Sequence, residues 1–251
     1  MNKKCFILLA ALAAIAVPAA AAVQGLPVLD QWAWTEIQPD AAWNARAGLR
    51  VVELRNELYL LGGRTPIDPA ISPAPGASQI WGDVWKSRDN GRSWTEILET
   101  DDASHWPARA YFQALAKDGQ IYVIGGQNYV VIPNPAPIGP PFISVSEFFS
   151  DVWRSRDGVH WTQMTAAAGW EGRAGLSAVV HNGFIYVMAG SQNDDSAVIG
   201  GPPVRIYFND VWRSRDGRHW EQVAAAAPWA PRAGAVVVSR AGWMYLFGGE
   251  D

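Results

Sequence analysis

The chain has a single cysteine in 251 residues, Cys5, and it stands in the apolar run that opens the sequence. Once that run is removed no thiol remains, which excludes disulfide staples and cysteine chemistry alike. Long apolar runs are lacking too. The stretch Cys5 to Val17 follows Lys3 and Lys4 and gives way to Pro18 and a string of alanines. It falls short of the ~20 residues a membrane helix needs. It reads instead as a secretory leader, residues 1–22, with Ala20-x-Ala22 as the cleavage site. Basic residues are in deficit: 20 Lys and Arg against 24 Asp and Glu give a formal charge of −4, which becomes −6 when Lys3 and Lys4 leave with the leader. A general nucleic-acid binder would show the opposite balance. Histidine is scarce (His105, His160, His181, His219) and falls at no metal-ligand spacing. The expectation is an exported chain, residues 23–251, periplasmic or secreted, with no stable membrane span, no bound metal and no cofactor.

Tryptophan, glycine, proline and internal repetition are plentiful. Asp83 to Trp94 reads DVWKSRDNGRSW, Asp151 to Trp161 DVWRSRDGVHW, and Asp210 to Trp220 DVWRSRDGRHW. Each string predicts a hairpin: a short Val-Trp arm, an Asp-Gly or Asp-Asn-Gly turn, and a second arm opening on Trp. The paired tryptophans are Trp85 and Trp94, Trp153 and Trp161, Trp212 and Trp220. Upstream of each hairpin a Tyr-containing apolar run closes on two small residues: Gly62-Gly63, Gly125-Gly126 and Ala189-Gly190. A fourth run ends in Gly248-Gly249 with no hairpin after it. Before each run stands Trp-x-x-Arg-Ala, with Arg46, Arg109, Arg173 and Arg232 marking four copies. Repetition at this period points to a stacked or radial repeat architecture.

Arg, an apolar strand, a Tyr strand ending in Gly-Gly and a fourth strand opening on Trp together resemble the Kelch repeat, over about residues 32–251. The hairpins resemble the Asp box of sialidase-like propellers, Ser87 to Trp94 fitting S-x-D-x-G-x-x-W and the later two copies being one residue shorter. The resemblance implies an all-β, Kelch-like β-propeller of four-stranded blades at about 46–97, 109–164 and 173–223, with a partial blade at 232–249. Strand A would start at Ala47, Ala110 or Ala174. Trp34-Thr35-Glu36-Ile37 matches the fourth-strand segments and is expected to be an outer strand. The ring is expected to be incomplete, the chain being cut in its fourth repeat, with self-association as the consequence if it is not.

Alternating strand directions put the long B–C connections, Arg64 to Gly82, Gln127 to Ser150 and Ser191 to Asn209, on one face together with the Arg-Ala sites. Loops of such length without structure of their own are commonly functional. The expected role is a binding or scaffold module for a protein or carbohydrate ligand. Candidate ligand contacts are Arg46, Arg109, Arg173 and Arg232, ringing a channel mouth where guanidinium groups can fork onto a carboxylate, with Tyr129, Asp194, Asp195 and Tyr207 from the loops. The same arginines suit structural pairing within the repeat, since a buried guanidinium must be paired in either case. The enzyme alternative, implied by the resemblance, is a sialic-acid mutarotase or sialidase-like protein. The copper chemistry of galactose oxidase, which shares the fold, needs a Cys this chain lacks after its leader. The Phe/Tyr-Arg-Ile-Pro motif of sialidases is also missing. No catalytic residue is assigned.

Overall fold

A computed structural model describes residues 35–68, 78–101, 103–135, 138–139, 141–192 and 205–251. The expected leader, Asp194 and Asp195 lie outside the described residues. Apart from Thr35 and Glu36, the described residues belong to one compact unit, Ile37–Asp251, the second of two into which the chain divides. Thr35, Glu36 and Ile37 stand outside any strand, against the expectation from their match to Thr95–Ile97. A strand exists through its ladder, and the match is one of sequence rather than of pairing partner.

Among the described residues of the second unit there is no helix, and every sheet is antiparallel. Three sheets have four strands in the order the repeats predict. The first holds β1 (Arg50–Leu54), β2 (Glu57–Pro66), β3 (Ser78–Ser87) and β4 (Thr95–Leu98). The second holds β5 (Gln113–Lys117), β6 (Gln120–Ile124), β9 (Val152–Ser155) and β10 (Trp161–Thr165). Between its middle strands the chain makes a separate ribbon, β7 (Gln127–Pro133) with β8 (Phe142–Phe148). The third holds β11 (Ser177–His181), β12 (Phe184–Met188), β15 (Val211–Ser214) and β16 (Glu221–Ala224), with a shorter ribbon of β13 (Ser191–Gln192) and β14 (Ile206–Tyr207). A fourth sheet has two strands, β17 (Val236–Arg240) and β18 (Trp243–Phe247).

Two expectations are corrected here. The first strand of each sheet starts three residues after the Arg-Ala pair, at Arg50 or Gln113, because the backbone between them turns through positive φ at Gly48 and Tyr111. Ala47, Ala110, Ala174 and Ala233 instead make isolated bridges to Arg64, Gln127, Ser191 and Glu250. The long B–C connections are β-ribbons at their bases rather than loops. β2 and β3 run on past their sheet, pairing Arg64 with Ile80 and Thr65 with Gln79.

The predicted hairpins are built from their own side chains. In the second copy the Ser155 hydroxyl accepts the Gly158 N–H at 2.8 Å, and Asp157 Oδ1 accepts the N–H groups of Val159 and His160 at 2.9 and 2.8 Å. The Trp161 indole donates back to the Gly158 carbonyl at 3.0 Å. Burial alone would raise the Asp157 pKa, but the side chain and backbone of His160 and the Val159 N–H outweigh it and hold the carboxyl well below its ordinary value. The third copy repeats this arrangement at Ser214, Asp216, Gly217, His219 and Trp220.

Consecutive sheets pack through these turns. An added Cβ on Gly158 would stand 2.9 Å from the Tyr59 ring, and one on Gly217 2.7 Å from the Tyr122 ring. Each turn therefore rests on the Tyr of the preceding sheet at a distance only glycine allows. Behind the turns lie two separate apolar layers: Val52, Tyr59, Leu61, Val84, Trp106, Phe112, Ile121 and Val123 between the first two sheets, and Tyr122, Ile124, Trp170, Leu176, Ile185 and Val187 between the next two. Trp106 stands edge-on to Trp161, and Trp170 edge-on to Trp212 and Trp220. Such aromatic pairs add to the ~25 cal/mol per Å² of apolar burial.

Candidate functional site

Three of the four repeat arginines, Arg46, Arg109 and Arg173, are held in internal ion pairs. Arg109 is fully buried. Its Nη1 and Nη2 donate to Asp151 Oδ1 and Oδ2 at 2.6 and 2.9 Å, its Nε to the Pro107 carbonyl at 2.9 Å, and Nη1 also to the Gly125 carbonyl at 2.9 Å. The Phe149 ring covers the guanidinium at 4.0 Å. Arg173 repeats the pattern with Asp210 at 2.5 and 3.1 Å, the Glu171 and Ala189 carbonyls, and Phe208 at 3.7 Å. Arg46 does so with Asp83 at 2.6 Å, the Asn44 and Gly62 carbonyls, and Trp81 at 4.6 Å. The same three aspartates accept the indole N–H of Trp85, Trp153 and Trp212 at 2.7 to 2.8 Å. Arg109 and Arg173 use all three guanidinium nitrogens and Arg46 its Nε and Nη1, and each side chain lies almost wholly out of solvent against an aromatic ring, so none of the three is open to a ligand. Each arginine is a clasp tying the start of a repeat to the Gly-Gly or Ala-Gly end of its second strand and to the Asp that opens its third. Among the described residues Arg232 reaches two carbonyls, Ala230 and Gly248, at 3.0 and 2.9 Å.

A different set of residues converges on open space. Backbone hydrogen bonds run from repeat to repeat: Tyr111 N–H to Gly48 O at 2.9 Å, Gly175 N–H to Tyr111 O at 2.8 Å, and Gly234 N–H to Gly175 O at 2.8 Å. This string brings equivalent positions of successive repeats side by side around a cavity of about 400 Å³. The residues that follow the small-residue pairs, Arg64, Gln127, Ser191 and Glu250, all line it. So do Tyr111, Tyr129, Ser146, Phe148 and Arg205.

Its chemistry is asymmetric. Arg205 pairs with Glu250 across the cavity wall and donates to the Tyr207 hydroxyl at 3.1 Å. Arg64 has no carboxylate partner among the described residues. Its guanidinium lies 5.1 Å from the Tyr129 ring with Nη1 3.5 Å from that hydroxyl, and its Nε is buried without an acceptor. Tyr111 carries the other irregularity. Its φ is +55°, at a position where the other repeats have Gly48, Gly175 and Gly234 at +67°, +60° and +69°. Left-handed backbone costs a bulky side chain ~1–2 kcal/mol, and strain of this kind gathers at ligand sites. The Tyr111 ring lies over Gly48, where an added Cβ would be 3.0 Å from it.

Of the sequence candidates, the structure thus places Tyr129 in the cavity, Tyr207 behind it as the Arg205 partner, and Arg46, Arg109 and Arg173 in internal clasps. Arg64, Tyr111, Gln127, Ser191, Arg205 and Glu250 were not singled out from the sequence. The signal for them was available: they stand at or near repeat positions whose neighbours repeat while they do not. Among the described residues no group of three or more His, Cys, Asp or Glu is placed to hold a metal ion, and no helix is long and apolar enough to cross a membrane. No known family's sequence pattern matches the chain, and no curated protein is a significant relative of it.

Proposed function

We propose that this chain is an exported Kelch-like β-propeller that works as a binding module, taking a small carboxylate-bearing ligand of sugar size in the cavity lined by Arg64. One observation carries the reading. The clasp residues are the same in the first three repeats, whereas the adjacent cavity position changes from Arg64 to Gln127, Ser191 and Glu250. Residues that hold the fold repeat because each sheet needs them. Residues that meet one asymmetric ligand differ because each touches a different part of it. The volume falls in the ~300–1,000 Å³ range of small-molecule sites. Arg64 and Arg205 against Glu250 leave an excess positive charge, and Arg64 keeps donors for a carboxylate fork. Tyr111, Tyr129 and Phe148 supply faces for a ring. The sheets that succeed one another through the Gly48–Tyr111–Gly175–Gly234 string support the propeller reading, and the apolar run after Lys3 and Lys4, read as a leader, supports export. The enzyme alternative drew on an arginine ring at the channel mouth, and the internal pairing of Arg46, Arg109 and Arg173 removes that support.

Isothermal titration with glucuronate, and with glucose as the uncharged control, tests this. Glucuronate binds, glucose binds at least tenfold more weakly, and Arg64→Gln removes the difference. Equal binding of the two sugars, or an unchanged preference in Arg64→Gln, overturns it.

A further inference from the structure

Each hairpin carries a pair of basic residues on its first arm, at positions i and i+2, which share one face of a strand. In two sheets the pair converges on a single group. Lys86 and Arg88 both meet the Glu57 carboxylate in the first sheet, at 2.5 and 2.9 Å. Arg213 and Arg215 both lie over the Phe184 ring in the third, at 4.7 and 4.4 Å, and Arg213 also pairs with Glu221. The second sheet departs from this rule. Glu57, Gln120 and Phe184 are equivalent, each opening its second strand opposite the last residue of the first. Thr162 stands opposite Arg154 as Glu221 stands opposite Arg213. Arg154 and Arg156 therefore face an amide and a hydroxyl where their counterparts face a carboxylate. Among the described residues neither guanidinium has an ion pair or a hydrogen bond.

Both arginines border a hollow of about 300 Å³, lined also by Gln120, Asp157, His160 and Thr162. Its charge balance shows what is missing. The matching hollow of the third sheet sets two arginines against two carboxylates, Asp216 and Glu221. Here two arginines stand against Asp157 alone, and that carboxylate already accepts from Ser155, Val159 and His160. The neighbouring Lys117 and Asp118 cancel each other in their own pair. One negative charge is lacking, at the point where the first sheet supplies Glu57.

We propose that this hollow binds the sulfate monoester group of a ligand, the anion standing where the Glu57 carboxylate stands in the first sheet. Two guanidinium forks, the Gln120 amide and the Thr162 hydroxyl offer more donors than the two oxygens of a carboxylate accept, and suit the three terminal oxygens of a sulfate ester. Its single charge cancels the surplus. A phosphate monoester carries about −1.5 to −2 at neutral pH and would set the excess against Asp157. The hollow lies at the start of β6, whereas Gln127 and the cavity lie beyond its end. It is thus a second site, independent of the carboxylate reading of the first.

The test is isothermal titration of the full chain with glucose 6-sulfate at low ionic strength, with glucose and glucose 6-phosphate as comparisons. The same titrations on Arg64→Gln keep the cavity from contributing. Glucose 6-sulfate binds saturably to both proteins, glucose does not, and glucose 6-phosphate binds more weakly. In the Arg64→Gln background, Arg154→Gln weakens sulfate binding about tenfold or more, as loss of a charge-assisted pair implies. Gln120→Glu, which restores the carboxylate of the first sheet, does the same while leaving the melting temperature level or higher. That variant separates occupancy of the slot from damage to the fold. Absence of saturable binding to Arg64→Gln overturns the proposal. So does full affinity in Gln120→Glu, or tighter binding of the phosphate than of the sulfate ester.

Discussion

Arg109 and Asp151, 42 residues apart in sequence, meet through two parallel hydrogen bonds of 2.6 and 2.9 Å in a site where the arginine has no exposure at all. The pair fixes the entry to the second sheet against its third strand and leaves the guanidinium no free face. The equivalent pairs, Arg46 with Asp83 and Arg173 with Asp210, make this a rule of the fold rather than a feature of one site.

Truncating one member of such a pair strands a buried charge, which costs about 3–5 kcal/mol. Arg109→Ala and Asp151→Ala are each expected to lower unfolding free energy by that order. The double variant should lose less than the sum, because neither charge is then left alone. Urea denaturation of the four proteins in the cycle checks it, and additive losses would mean the two residues act independently.

The turn glycines set the spacing between sheets. Gly217 has φ +77° and would place an alanine Cβ 2.7 Å from the Tyr122 ring. Gly217→Ala should therefore destabilise by about 1–3 kcal/mol through backbone strain and overpacking. Gly183, with positive φ but nothing within 4 Å, separates the two causes. Gly183→Ala should show only the backbone share, and equal losses at the two sites would remove the packing argument.

Acid should weaken the first sheet over a defined window. Hydrogen bonding from Lys86, aided by Arg88 and Tyr59 and opposed by burial, takes the Glu57 pKa from 4.5 to about 2. The hydroxyl and backbone N–H of Ser93 take Asp89 from 3.8 to about 2. Both are lowered in the folded state, so both favour folding above the unfolded values and lose that contribution as pH falls through the folded ones. Stability is expected to stay level from pH 7 to 5, then fall between about 4.5 and about 2. Glu57→Gln should flatten part of that fall in denaturation curves taken at stepped pH.

Tyr111→Gly separates strain from function. Glycine takes positive φ freely, so the variant should keep its melting temperature or raise it, the relief of ~1–2 kcal/mol of strain offsetting lost ring contacts. Affinity for a carboxylated sugar should fall several-fold. A variant that is both destabilised and fully competent to bind would assign Tyr111 to packing instead.

How legible this was follows from the range of each interaction. The Asp-Gly hairpins could be read directly, because Ser155, Asp157, Gly158 and Trp161 bond within one short segment. The order of strands within the sheets followed from the repeat. The clasp was harder. Each Arg meets an Asp 37 or 42 residues on, with a ribbon of varying length between them. The Arg-Ala motif therefore showed a guanidinium without showing its partner. The ribbons were hidden because Tyr129-Val130-Val131-Ile132 sits among prolines that suggested irregular loops. The cavity was hidden for another reason. Arg64, Gln127, Ser191 and Glu250 share a position but no chemistry, and a search for what repeats passes over what differs.

The most direct test of the cavity is the set of arginine side-chain Nε–Hε signals, followed by ¹⁵N NMR while glucuronate is titrated in. The Arg64 signal, assigned by its loss in Arg64→Gln, should move and saturate, while those of Arg109 and Arg173 stay fixed in their clasps. Movement of Arg109 and Arg173 with Arg64 unchanged would contradict the account and return the ligand to the arginine ring.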